Sequence, residues 1–279
     1  MPFFDGVRNK VYYRHWEASQ PWARILLLHG FGEHSGHYHR LAGQLNSAGL
    51  DVWAPDHLGH GHTGGPAGLF PSVDELASNA GVLVDIMAGD GPDLPVVVLG
   101  HSLGALTGAL LSVRTPSLRT GLIMTGAPLW GLPREAQGRT DLVMAKDRSY
   151  LDALENDPLG FDTAPAEPNL WQALTVAGGK VRACLPAVTM PILLVNGEFD
   201  AFATPDRAAE FARELQHGQS VVIPRRLPRH SERRRPPGGR VADDRGALGM
   251  VPDRASTPGG FSMSTPCTGA SAPRITRNP

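Results

Sequence analysis

Apolar residues along the first half of this chain alternate between short unbroken runs and longer stretches with helical spacing. Val11 to His15 and Arg24 to His29 predict the first strands, the second being almost continuously apolar, as in a strand covered on both faces. His29-Gly30-Phe31-Gly32-Glu33-His34 breaks that run. Tyr38 to Ala48 then puts Leu41, Leu45 and Ala48 at helical spacing, with Gly49 at the end, where a left-handed cap is expected. Asp51 to Ala54 predicts a strand, Val73 to Met87 a helix, Pro95 to Leu99 a strand, Ser102 to Val113 a helix and Gly121 to Thr125 a strand. Alternation of this kind predicts an α/β fold with a mostly parallel sheet and helices on both faces. From Pro128 to Val188 it stops, and a polar, helix-like segment interrupted by Pro158, Pro165 and Pro168 reads as an insertion over the sheet. It resumes with Pro191 to Val195 as strand, Pro205 to Leu215 as amphipathic helix and Ser220 to Ile223 as strand. Beyond Pro224 no element can be read.

With 279 residues, 41% of them hydrophobic, the chain is long enough for one domain with a substantial core. Its expected parts are a core of residues 1–127 and 189–224, a cap insertion at 128–188 and an irregular, disordered tail at 225–279. No secretory leader layout opens the chain and no apolar run approaches the ~20 residues that span a bilayer, so a cytoplasmic setting is expected. Cys184 and Cys267 suit neither a disulfide framework nor a metal site, and Cys184 reads as a buried apolar residue. Charge is uneven. Eleven of the 26 basic residues and four of the 27 acidic ones follow Pro224, leaving about +7 there and about −8 before it. The tail lacks interleaved aromatics and helical periodicity, so nucleic acid is not expected as a partner, although anion binding by the tail stays open as a rival role.

Candidate chemistry centres on Gly100-His101-Ser102-Leu103-Gly104, which stands between a strand and a helix. A nucleophile elbow needs this setting, because the sharp bend strains the serine and leaves no room for side chains two residues before and after it. The bend also aims the helix start at the serine, so that the Leu103 N–H faces a developing oxyanion. Glycines after the early strand let the Phe31 N–H supply a second donor, each donor contributing about 3 kcal/mol. Asp200, in Asn196-Gly197-Glu198-Phe199-Asp200 after a strand, is the expected carboxylate for the base, with Glu198 as the fallback. His57, His60 and His62 could converge on a metal, but no carboxylate or cysteine partner has ligand spacing, and a structural loop is the preferred reading. Neither metal nor cofactor is expected.

These residues resemble the α/β-hydrolases of the monoacylglycerol lipase, lysophospholipase and serine-aminopeptidase-like type. The likeness is carried by His29 to Tyr38, the Asp56 to Gly65 loop, Gly100 to Gly104, Glu155-Asn156-Asp157-Pro158-Leu159 and Asn196 to Asp200, and covers about Phe3 to Pro224. It implies a serine ester hydrolase without cofactor, acting on single-chain lipids or small esters through an acyl-enzyme. Ser102 would be the nucleophile, Asp200 the acid, and Phe31 and Leu103 the oxyanion donors. The resemblance further implies a cap that receives an acyl chain and touches membrane surfaces at most transiently, in a monomer or weak oligomer. The cap is short here, which leaves acyl length open.

The base departs from this pattern. The family places its histidine in a loop just after the strand matching Ser220 to Ile223, followed by a last amphipathic helix. This chain instead reads Arg225-Arg226-Leu227-Pro228-Arg229-His230, with prolines where a helix should run. Codons for residues 225–240, read one nucleotide later, can encode Gly-Gly-Phe-His-Asp-Ile-Leu-Asn-Asp and onward, which resembles the family's histidine loop. The tail therefore reads as a possible frameshift product, with the family's histidine falling at Pro228. His230 is the candidate base in the chain as it stands, His217 and His101 being weaker ones. A catalytically impaired hydrolase-fold protein is the alternative reading.

Overall fold

One sheet organises the protein. In chain order its strands are β1 (Phe3–Asp5), β2 (Lys10–Trp16), β3 (Ala23–Leu28), β4 (Leu50–Pro55), β5 (Val96–His101), β6 (Gly121–Thr125), β7 (Ile192–Gly197) and β8 (Gly218–Ile223). The structure, a computed structural model, describes residues 2–115, 120–133 and 147–224, so what was expected of the tail 225–279, His230 included, lies outside the described residues. Spatial order is β1-β2-β4-β3-β5-β6-β7-β8. β1 with β2 and β2 with β4 pair antiparallel, and the pairings from β4 across β3, β5, β6 and β7 to β8 are all parallel. All eleven elements expected from periodicity are present. Among the strands only β1, three residues long, carried too little pattern to be read, and the helix-like segment 128–188 was read without bounds for its helices.

Helices α1 (His39–Ser47), α2 (Val73–Gly89), α3 (Leu103–Arg114), α4 (Arg148–Glu155), α5 (Glu167–Cys184) and α6 (Pro205–Glu214) complete the architecture. The alternation of side chains along each strand divides them between two layers. Leu26, Leu28, Val98, Leu122, Met124, Ile192 and Leu194 face a core shared with α2, α3, α5 and α6. Ile25, Leu27, Val52 and Ala54 face the other way, onto Ala42 of α1. Within the segment expected to lie over the sheet, α5 buries Leu170, Leu174, Ala177 and Val181 in the larger core, and Cys184 at its end is half-buried. No described helix is long and apolar enough to cross a membrane.

The α1 side is unevenly covered. α1 packs on β4 and β2, while Val97, Ile123 and Leu193 line a cavity of about 690 Å³ nearer the β8 edge. At that edge Val221 and Ile223 are 43% and 53% exposed. Their burial difference sets the cost of substitution. Leu194→Ala, at a site 1% exposed, is expected to lose about 2–4 kcal/mol in urea unfolding, whereas Ile223→Lys should stay within about 0.5 kcal/mol and reduce aggregation on heating.

Candidate active site

Ser102 is held at φ 49°, ψ −112°, the only positive φ at a non-glycine among the described residues. Such a conformation costs about 1–3 kcal/mol and persists only where its surroundings enforce it. Here they do. A Cβ on Gly104 would stand 2.0 Å from the carbonyl oxygen of Leu28, and one on Gly100 would stand 2.3 Å from that of Gly104. The first turn of α3 is thus pressed onto the end of β3. The Ser102 N–H donates to the Thr125 carbonyl at 2.9 Å, and the Ser102 carbonyl accepts from the Ala105 N–H at 3.0 Å. Leu103, fully buried, is the first residue of α3, where N–H groups have no partner within the helix and the helix dipole favours negative charge.

Asp200 follows β7 and comes to the same edge. Its Oδ1 accepts from the Phe202 and Ala203 N–H groups at 2.9 and 2.8 Å, which fixes the loop. Its Oδ2 lies 3.4 Å from the point where a Cβ on Gly126 would stand. His101 Cε1 is 3.4 Å from that same point, and His101 Nδ1 is 3.0 Å from Thr125 Oγ1. Thr125 and Gly126, at the end of β6, are therefore where the serine, Asp200 and His101 gather. Glu198 is exposed, and its N–H donates to the Ile223 carbonyl at 3.0 Å, so the chain leaves β8 on this edge. His217 sits at the opposite edge, since the adjoining Gly218 pairs with Ile192 at the start of β7.

Phe31 follows β3 in a loop that is fastened from several sides. Glu33 Oε2 accepts from the Gly30 N–H at 2.7 Å and from the Tyr38 hydroxyl at 2.6 Å, while Oε1 accepts from the Tyr150 hydroxyl on α4. Burial works to raise the Glu33 pKa, but the His101 charge and the hydrogen bonds from Tyr150, Tyr38 and Gly30 outweigh it and keep the group below the usual carboxylate range. The sequence offered Glu33, Tyr150 and Asp157 no role, because the bonds that join Tyr150 to Glu33 and Asp157 to His34 span more than a hundred residues.

The clustered histidines divide into two groups. His29, His57 and His60 are buried and bonded to backbone. His29 Nε2 accepts from the His57 N–H at 2.9 Å, His57 Nε2 lies 3.1 Å from the His29 carbonyl, and His60 Nδ1 lies 2.9 Å from the Leu58 carbonyl. His62 stands apart, its ring 4.7 Å from Tyr12. A different set, His34, His37 and Asp157, brings its ligand atoms within 4.8 Å of one another. Both imidazoles, however, accept backbone N–H bonds at Nδ1, from Gly36 and from His34. Each Nε2 then carries the proton, that of His34 donating to Asp157 Oδ2 at 2.6 Å and that of His37 lying 2.6 Å from the same oxygen, the reverse of what a metal requires.

Comparison with known proteins places this arrangement. A family model described as "Serine aminopeptidase, S33" matches residues 19–143. A protein named monoacylglycerol lipase from Mycolicibacterium smegmatis is 29% identical over 217 residues, 71% of this chain and 78% of that one. One named monoglyceride lipase from Homo sapiens is 29% identical over 234 residues, covering 76% and 77%. Among solved structures, the Paleococcus ferrophilus monoacylglycerol lipase superposes with a TM-score of 0.62 at 24% identity, covering 77% of this chain and 88% of that one. A soluble variant of Saccharomyces cerevisiae monoglyceride lipase gives 0.65 at 17%, covering 80% and 84%. These structures share the α/β-hydrolase fold with this chain.

Two outcomes follow from the geometry. Gly104→Ala has no space for its methyl group against the Leu28 carbonyl, and should lower stability by at least about 2–3 kcal/mol or prevent folding, read from the urea midpoint. Burial holds His57 at a pKa of about 3 and His60 at about 4, and holds His29 well below its usual value. The unfolded chain takes up these protons near pH 6.5 and the folded one does not. Their stabilisation is therefore complete above pH 6.5 and falls as pH drops toward 4, by about 1.4 kcal/mol per pH unit for each imidazole. Unfolding free energies at pH 7.5 and 5.0 should show the loss.

Proposed function

We propose, for a chain that belongs to the monoacylglycerol lipase family of α/β-hydrolases, that it hydrolyses carboxylic esters through a covalent acyl-enzyme on Ser102. The strained bend at Ser102, locked by Gly100 and Gly104 against the end of β3, carries the reading. It presents an alcohol at the carboxyl edge of the sheet, beside a helix start and a glycine-bearing loop. In this reading Ser102 Oγ attacks the ester carbonyl while an imidazole takes its proton, and the Phe31 and Leu103 N–H groups bind the resulting oxyanion. The imidazolium then protonates the departing alcohol. Water, deprotonated by the same imidazole, attacks the acyl-enzyme and releases the acid, with Asp200 orienting the ring throughout. Single-chain lipids such as monoacylglycerols, or smaller esters, are the proposed substrates, and part of the 128–188 segment is the proposed cap.

The base comes from the segment after Pro224. Support for this lies in the described histidines: His217 is at the far edge, and His101 is engaged with Thr125. β8, in contrast, delivers the chain beside Gly197, three residues before Asp200. His230 is the candidate there. The sequence after Pro224, which departs from the family's histidine loop, favours the second reading, an impaired hydrolase, and a change of reading frame there is the proposed origin of the departure.

A fluorophosphonate should label the intact chain and leave Ser102→Ala unlabelled; an unlabelled intact chain removes the enzyme reading. p-Nitrophenyl esters from acetate to palmitate give the acyl preference. His230→Ala should lower hydrolysis by roughly 10³-fold if that imidazole is the base, and an unchanged rate moves the role elsewhere. Hydrolysis by a frame-restored version alone would establish the impaired reading.

A further inference from the structure

Residues 150–163, which lie between β6 and β7, meet the loop that carries the Phe31 N–H at four places. Tyr150 donates its hydroxyl to Glu33. Asp157 Oδ2 is hydrogen-bonded to His34 Nε2 at 2.6 Å and lies 2.6 Å from His37 Nε2. The Phe161 ring stands edge-on to that of Phe31, centroids 5.8 Å apart. Thr163 Cγ2 lies 3.2 Å from where a Cβ on Gly32 would stand, and Gly32 has φ +76°. The loop touches the reacting end of the sheet as well, since a Cβ on Gly30 would come within 2.8 Å of Glu33 Oε2 and 3.0 Å of His101 Cδ2. The Gly30 backbone is thus wedged between the Glu33 carboxylate and the residue preceding Ser102.

We propose that Tyr150 and Asp157 are positioning residues for the oxyanion hole: through Glu33 and through His34 with His37, they fix the peptide that presents the Phe31 N–H. This rests on the ester-hydrolase reading of Ser102 and deepens it. Glu33 is the link because one carboxylate serves both sides. Its Oε2 holds the Gly30 N–H, the amide next to that of Phe31, and its Oε1 is held by Tyr150. A buried carboxylate deprived of one donor turns to recover it, which costs the hydrogen bond on its other oxygen. Asp157 acts at the other end of the loop. One of its oxygens is hydrogen-bonded to His34 and lies 2.6 Å from His37 Nε2, so the carboxylate sits against both rings and ties this end of the loop to the inserted segment. Movement of the inserted segment would therefore shift the oxyanion donor, and seating of the segment would complete the site.

The test compares Tyr150→Phe and Asp157→Asn with Lys180→Gln, which breaks a tie of α5 to Asp74 that does not involve the loop. Hydrogen exchange of the amides at 29–33 is the first readout and needs no catalysis. Both loop variants should exchange about tenfold faster there, with α3 unchanged, and the lysine variant should match the parent. The second readout is fluorophosphonate labelling of Ser102, where the limiting rate should fall about tenfold in the loop variants with the half-saturating concentration unchanged. Unchanged exchange at 29–33 in both variants, or an equal rise in Lys180→Gln, overturns the proposal. So does unchanged labelling in variants of a parent that labels. A parent that does not label defeats the ester-hydrolase reading and leaves the exchange readout to decide the positioning role. If Tyr150→Phe does not fold, Asp157→Asn decides it.

Discussion

The molecule turns on the contact between α3 and β3 at Gly104. A helix that begins less than a methyl group's breadth from a strand carbonyl cannot move without breaking both elements. That contact forces the bend at Ser102, and the bend sets the serine over the ends of β3, β5 and β6. Strain at one residue is thus maintained by packing of the whole sheet against α2, α3, α5 and α6. Stability of the large core and the geometry of Ser102 are the same physical fact.

Around this edge the chain buries several polar side chains, His29, Glu33, His34, His57 and His60 among them. His29, His57 and His60 replace missing strand and turn partners with ring nitrogens, remaining neutral because burial disfavours their charged form. Glu33 remains charged in nearly the same place because four groups stabilise its anion. The loops after parallel strands need such bonds, since their backbones leave the sheet ladder while still covered by the inserted segment. That dependence ties the described part of the segment between β6 and β7 to the edge that carries Ser102.

At the β8 edge the picture reverses. The parallel pairing of β7 and β8 ends with Ile223 beside Gly197, close to Asp200, yet Val221 and Ile223 are open to solvent and a cavity runs along the neighbouring strands. An amphipathic helix after β8 would cover such a face, and the residues after Pro224, rich in arginine and proline, do not have the pattern of one.

The alternation of apolar runs and helical stretches determined the α/β class and the place of every strand except β1, because burial on both faces imprints composition directly on sequence. Gly100, Ser102 and Gly104 were legible for a related reason: a bend this tight tolerates few residues. Asp200 was legible from its place after a strand. Tertiary structure alone decided that Thr125 and Gly126 form the meeting point, that His217 lies at the opposite edge, and that His57 and His60 bond to backbone groups. It alone joined Tyr150 to Glu33, and Asp157 to His34 and His37, across more than a hundred residues. Periodicity records whether a side chain is buried. Which distant group it meets there is fixed only when strands and helices close on one another.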